Sequence, residues 1–394
     1  VRRRAFLLTA AAAAAVRPAR GQARPVVVGL ERVAADGGRP LAGRRVGLLA
    51  HAASVTADGR HAIEVLRASG VHVVRLFAPE HGLRGDAPAG GKIEGGVDPA
   101  SGLPVVSLYG DRLSPSAGDL RGLDALVVDL QDAGVRFYTY ASTMLLSLAS
   151  AADAGLEAFV LDRPNPLGGN RLDGPLRDPA LPFSLLSMAP GPLVHGLTLG
   201  EMARFVGARR PRPARLTVVA MEGWKRSMAW ADTGRPWTSP SPNLRSPDAA
   251  LAYPGTCLLE ATNVSEGRGT DTPFLLIGAP WLRPEALVRE VAAPGFSLEP
   301  EAFVPFSSAA APAPKYLGKS CSGLRVKVAD RSRCRPWELG LRLLAALLKL
   351  QPRFAFRRDG RELDTLLGTH AVRAALEQHR GVEAILAAEA PALE

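Results

Sequence analysis

From about residue 26 to residue 159 the chain alternates short apolar runs with longer amphipathic stretches. The runs cover residues 45–50, 71–77, 104–109, 125–130 and 158–162, with one more at 216–220. They are rich in Val and Leu and mostly continuous, the pattern of strands covered on both faces. Between several of them the apolar positions recur at helical spacing. Residues 58–69 predict a helix with Asp58 as N-cap and Gly70 as its stop; residues 142–154 predict another, followed by Gly155. This repeated strand–helix order predicts an α/β fold built on a Rossmann-like, doubly wound, mostly parallel sheet. A Gly- and Pro-rich middle follows, then a rigid loop, WTSPSPN, at 237–243. Near residue 249 the pattern turns mixed, with a strand over 324–328 and an amphipathic helix over 338–350. The expected organisation is a first domain over 24–248 and a smaller α/β domain over 249–394.

The first 23 residues read differently. A basic start (Arg2, Arg3, Arg4) leads into an Ala-rich apolar run from Phe6 to Val16, which ends in a short polar stretch closing on Ala23. That is the layout of a secretory signal, too short to span a membrane as a helix. Arg3 and Arg4 ahead of Phe6 and Leu7 fit the twin-arginine export pattern. The expected location is therefore periplasmic or extracellular.

Composition changes this picture in three places. The net charge of +10 falls to +5 without the five signal arginines, Arg2, Arg3, Arg4, Arg17 and Arg20. No basic run or aromatic-interleaved basic stripe follows, so nucleic acid is not an expected partner. No later stretch is long and apolar enough to predict a membrane span. The three cysteines, Cys257, Cys321 and Cys334, show no metal-ligand spacing, so no metal is expected. In an oxidising compartment Cys321 and Cys334 are the pair nearest in sequence for a disulfide, and three buried free thiols is the alternative reading. Neither GxGxxG nor GxxxxGK[ST] occurs, which argues against a dinucleotide or ATP; no cofactor is expected.

Doubly wound sheets bind ligands beyond the carboxyl ends of their strands. Three polar groups follow apolar runs there: Glu80 with His81, Gln131 with Asp132, and Asp162 with Arg163 and Asn165. A carboxyl emerging from an apolar strand end is partly desolvated, which disfavours its ionised form and suits a general acid. Glu80 is the first candidate; capping a following helix or pairing with Arg84 is its structural alternative. Asp132 is a second carboxylate on the same edge, and Arg136 and Tyr138 either bind ligand or brace the sheet. The stretch 260–270 packs Glu260, Asn263, Glu266 and Arg268 among glycines and reads as a binding loop. His195 reads as a cap for a helix starting near Thr198.

These residues resemble, in order over about 40–394, the exo-acting β-N-acetylmuramidases. The matching motifs are Ala78-Pro79-Glu80-His81-Gly82, GLPVVSLYG at 102–110, DLQDAGVRFYTY at 129–140, DRPNP at 162–166, HGLTLGE at 195–201, SPSPN at 239–243 ending in Asn243, and the stretch 260–270. Departures are mild: Val106 stands where Tyr is usual and Ala78 where Ser is common. The resemblance implies an active site between the two domains and release of N-acetylmuramic acid from the non-reducing ends of peptidoglycan fragments. It puts the family's catalytic glutamate on Glu80. Glycoside cleavage needs an acid for the leaving oxygen and a base or nucleophile. Asp132 or Glu266 would partner Glu80, unless the substrate's own acetamide attacks. Muramic acid carries a lactyl carboxylate, which an arginine fork would read; Arg136, Arg163 and Arg268 are the candidates. A non-catalytic muropeptide- or sugar-binding protein on the same frame is the competing reading. An esterase or amidase would want a GxSxG elbow, which is absent.

Overall fold

The computed structural model describes residues 25–390. The export signal expected over residues 1–23 lies outside the described residues. In chain order the strands are β1 (Arg45–Ala50), β2 (His72–Ala78), β3 (Gly96–Val97), β4 (Pro104–Ser107), β5 (Ala125–Asp129) and β6 (Glu157–Leu161). They continue as β7 (Asp173–Leu176), β8 (Pro192–Val194), β9 (Arg215–Val219), β10 (Leu276–Ala279), β11 (Phe296–Phe303) and β12 (Cys321–Val328).

Seven of them form one sheet in the order β3-β4-β2-β1-β5-β6-β9. All neighbours run parallel except the short edge strand β3. Counting only the parallel strands, this is the doubly wound order 3-2-1-4-5-6. Its chain reversal lies between β1 and β5, which pair from Val46↔Ala125 to Ala50↔Asp129. Ligands of doubly wound sheets bind beyond the carboxyl ends of the strands at such a reversal. The expected fold class holds.

One face of the sheet packs on the helices Gly29–Ala35 and Ala62–Ala68 through Leu30, Leu48, Ile63 and Leu66. The other carries the helix Thr139–Asp153, and its core runs without a break into the second domain. There β10-β12-β11 form an antiparallel sheet. The helix Pro336–Leu350 crosses the helix Pro247–Thr256 at two glycines. A Cβ on Gly255 would lie 2.2 Å from the Pro336 carbonyl oxygen, so the crossing closes only with no side chain there.

Several local expectations are corrected. The helix expected from Asp58 begins at Ala62, and His61 is its N-cap, accepting the Ile63 N–H at Nδ1. Asp58 is instead held by Thr56 and Arg60 in the preceding turn. The helix expected from Ser142 starts three residues earlier, at Thr139. Strand β11 and the three short helices Arg361–Leu367, Ala371–Glu377 and Val382–Glu389 have no counterpart in the sequence reading. Cys257, Cys321 and Cys334 are buried free thiols, so the Cys321–Cys334 pairing is not formed.

Candidate active site

Glu80 stands two residues beyond the end of β2 and is 9% exposed. Its Oε1 accepts the Gly90 N–H at 2.9 Å, and its Oε2 accepts the Thr139 hydroxyl at 2.8 Å. The Tyr140 hydroxyl lies 3.1 Å from the Glu80 carbonyl oxygen and 2.9 Å from the Pro240 carbonyl oxygen, and its one proton is shared between them. Neither alternative for Glu80 applies: Arg84 pairs with Asp98, and the carboxylate caps no helix. The early start of the helix Thr139–Asp153 matters here, because it brings Thr139 and Tyr140 onto the Glu80 backbone and side chain. Tyr109, half-buried just past β4, faces the same carboxylate; burial and then Glu80 hold its phenol above the ordinary value. Tyr109 lay inside a quoted motif but had no role in the sequence reading.

His81 adopts φ +69°, left-handed and uncommon for a residue with a Cβ. That twist turns the chain back, so that His81 Nδ1 lies 3.0 Å from the Ala87 carbonyl oxygen. Nδ1 therefore carries the proton. Burial lowers the His81 pKa despite the nearby Glu80, keeping the ring neutral.

At the reversal point itself, His51 follows β1 and accepts the Gln131 N–H on Nε2 at 2.9 Å. Burial, then Arg163, holds His51 well below its ordinary pKa. The Gln131 amide donates to the Asp132 and Pro164 carbonyls. Asp132 accepts on Oδ2 from the Gly134 N–H at 2.8 Å and from His195 Nε2 at 3.2 Å. His195 Nδ1 accepts the Leu197 N–H, which assigns the proton to Nε2. His195 is thus Asp132's partner rather than a helix cap; Thr198 caps that helix. Asp132 Oδ1 and the Tyr138 hydroxyl are buried with no hydrogen-bond partner among the described residues. Tyr138 and Tyr140, whose hydroxyl bonds the Glu80 carbonyl, meet edge to face at 4.8 Å.

Other expected binding residues prove to be architectural. Arg163 grips Asp129 with two bonds, at 2.5 and 2.8 Å, and both side chains are buried. Arg136 is fully buried and donates to the carbonyls of Pro175, Gly191 and Leu367; burial, then Arg177, pushes its pKa down to about 10. Asp162 accepts from Thr198 Oγ1 and the Gly200 N–H, anchoring the helix Leu199–Gly207, and burial raises it to about 6. Asn165 bridges Leu167 N–H and the Leu197 carbonyl. Asn263 clamps the segment 353–355 by donating to the Arg353 carbonyl and accepting the Ala355 N–H. None of these five presents a free polar head to a ligand.

A groove of about 540 Å³ lies between the first-domain loop at Pro88 and Ala89 and the second domain, with Glu260, Glu266, Arg268 and Lys315 in its wall. Gly90, next to that loop, is the residue that binds Glu80. Asn243 donates to the Ala310 carbonyl, fixing the loop that forms one side. Arg268 bonds Glu260 at 2.5 Å and lies 3.4 Å from Glu266. Lys315 donates to Glu266 at 3.0 Å and to the carbonyls of Leu259, Glu260 and Val264. Burial works to raise the Glu266 pKa, but Lys315 and Arg268 hold it below the ordinary value. Lys315 escaped the sequence reading because its acceptors all lie 49 or more residues away in the chain.

Comparison with known proteins covers nearly the whole chain. Residues 46–248 match the family model described as exo-β-N-acetylmuramidase NamZ, N-terminal, and residues 251–394 match its C-terminal counterpart. The peptidoglycan β-N-acetylmuramidase NamZ of Bacillus subtilis (strain 168) is 37% identical over 366 residues, 92% of this chain and 86% of that protein. Two crystal structures of DUF1343 family proteins from Bacteroides fragilis are each 30% identical and superpose with TM-scores of 0.83 and 0.73. Each covers 92% of this chain and 94% of the other.

Proposed function

The chain belongs to the NamZ exo-β-N-acetylmuramidase family of glycoside hydrolases, and from that premise we propose that it removes terminal N-acetylmuramic acid from the non-reducing ends of peptidoglycan fragments outside the cytoplasm. Glu80 protonates the leaving glycosidic oxygen. The observation that carries this assignment is the fixing of both its carboxyl oxygens, by Gly90 N–H and the Thr139 hydroxyl, with Gly90 adjoining Pro88 and Ala89 in the wall of a groove of about 540 Å³. A general acid must be held still against the bond it serves, and such groups contribute about 10²–10⁴-fold. Asp132 suits the partner role better than Glu266. One Asp132 oxygen is held by Gly134 and His195 while the other has no partner among the described residues, whereas Glu266 is paired with both Lys315 and Arg268. The first 23 residues, with their paired arginines and apolar run, support an exported protein.

The test is Glu80→Gln assayed on 4-nitrophenyl N-acetyl-β-muramide and on a muramyl disaccharide. The expected result is a fall of about 10²–10⁴-fold in kcat on the disaccharide, and a smaller one on the nitrophenyl glycoside, whose leaving group needs less protonation. Near wild-type rates on both would remove Glu80 from the chemistry. A parent protein that binds the disaccharide and never cleaves it would make the chain a binding module.

A further inference from the structure

The substrate proposed above is an anionic sugar, yet the three arginines that the sequence offered for its carboxylate are committed elsewhere. Arg163 is paired with Asp129, Arg136 is spent on backbone carbonyls, and Arg268 lies between Glu260 and Glu266. The groove wall contains two further cations, Arg357 and Arg358. Arg268 and Lys315 are matched by Glu260 and Glu266, but Arg357 and Arg358 share a single carboxylate, Glu362. The groove's excess positive charge therefore sits at this pair.

Their geometry suits a ligand. Each guanidinium turns its Nε to Glu362, at 3.2 Å for Arg357 and 3.1 Å for Arg358. Among the described residues the outer Nη edges have no hydrogen-bond partner, and the side chains are 49% and 74% exposed. A guanidinium edge with two parallel N–H groups is the shape that binds a carboxylate bidentately. The backbone is bent to present them. Arg358 has φ 47° and ψ 46°, Asp359 φ 54° and ψ 35°, and Gly360 φ 81°, three left-handed residues in a row. That conformation is unfavourable for residues with a Cβ and persists only where neighbouring structure enforces it. Asn263 fixes the start of this segment, tying Arg353 and Ala355 just upstream through its side-chain amide and its own N–H.

We propose that Arg357 and Arg358 form the carboxylate subsite of the groove, reading the lactyl carboxylate of the terminal muramic acid and so selecting it over an uncharged amino sugar. This rests on the muramidase reading. Asn263, expected from sequence to touch substrate, acts as the positioning residue for the pair.

The test compares 4-nitrophenyl N-acetyl-β-muramide with the same glycoside carrying its lactyl group as the primary amide. In the wild type kcat/KM favours the acid by about 10- to 100-fold, carried mostly by KM. In the double variant Arg357→Ala/Arg358→Ala that ratio falls to within about threefold, and in Arg357→Lys/Arg358→Lys it is intermediate, because the charge stays but the fork is lost. An acid-to-amide ratio unchanged in the alanine variant overturns the proposal. A wild type that cleaves neither glycoside defeats the muramidase reading instead. The arginine pair is then judged by calorimetric titration of free N-acetylmuramic acid, where equal affinity for wild type and alanine variant refutes it.

Discussion

Replacing Lys315 by Met keeps most of the side-chain volume and removes the ammonium. The carbonyls of Glu260 and Val264 and the Glu266 carboxylate lose the ammonium, while the Leu259 carbonyl keeps the Thr262 N–H and hydroxyl. Glu266 is only 4% exposed and keeps Arg268 alone, at 3.4 Å. Removing one member of a buried ion pair costs about 3–5 kcal/mol, because the surviving charge has lost both water and partner. For a chain of this size that is a drop in Tm on the order of 4–6 °C at neutral pH. The pH dependence identifies the cause. In the wild type Lys315 and Arg268 hold the Glu266 pKa below its ordinary 4.5, so the ionised carboxylate contributes stability that is complete above about pH 4.5 and lost as pH falls through the folded value. In the variant burial is opposed by one cation only, so the folded pKa rises and the carboxyl becomes easier to protonate. The gap in Tm between the two proteins must therefore be widest at pH 7 and narrow as pH falls through 4.5. Thermal melts followed by circular dichroism at pH 7.0, 5.5 and 4.0 measure it. A gap that stays constant across that range, or one under about 1 kcal/mol at pH 7, refutes the view of Lys315 as the counterion that holds this wall of the groove together.

Two further substitutions probe the first domain. Thr139→Val deletes the hydroxyl that places Glu80 Oε2 while keeping the side chain's shape. A hydrogen bond to a charged group contributes about 1.5–3 kcal/mol, so kcat/KM should fall about 10- to 150-fold, and Thr139→Ser should recover most of it; a loss under threefold would show that the bond does not position the acid. Asp162→Asn tests the anchor of the helix Leu199–Gly207. Burial raises Asp162 to about 6 from an ordinary 3.8, so the wild-type side chain destabilises the fold increasingly as pH rises from 3.8 through 6. An amide retains an oxygen for the Gly200 N–H and carries no charge, so the variant should gain about 1–3 kcal/mol at pH 8 and nothing at pH 3.5. Equal Tm differences at both pH values would contradict the linkage.

The sheet, and the residues at its carboxyl edge, were legible because both follow from local pattern. Continuous apolar runs between amphipathic stretches specify a doubly wound sheet, and the residue just past each run lies at the ligand edge whatever the rest of the chain does. Glu80, Gln131 and Asp132 were found in this way. What a polar side chain touches was not legible, because its partners lie far away in the chain. Arg136 meets carbonyls 39, 55 and 231 residues distant, and Arg163 meets an aspartate 34 residues earlier. Both look identical in sequence to arginines free to bind an anion. Lys315 is the converse case, an isolated lysine in an Ala- and Pro-rich stretch whose four acceptors are all 49 or more residues away. His195 was assigned to the wrong partner for the same reason, since its aspartate is 63 residues upstream.

Those long-range bonds also bear on how the groove selects a substrate. Arg136 starts beyond β5 in the first domain and ends on Leu367 in the second, and one unbroken apolar core runs between them. A fully buried guanidinium on three carbonyls cannot let go without leaving four polar groups unpaired, at a cost of about 1–3 kcal/mol each. Domain opening would also part Phe137 and Tyr138 from Tyr253, buried side chains that meet edge to face across the two domains and contribute about 1.5–3 kcal/mol each. Together these exceed what a single sugar returns on binding, so the two walls move as one body during turnover. Discrimination then falls to groups that can still move on a rigid frame. Among the charged side chains of the groove, Arg268, Lys315 and Glu266 are immobilised by their mutual pairing. Arg357 and Arg358, half or more exposed and short of one counterion, retain that freedom.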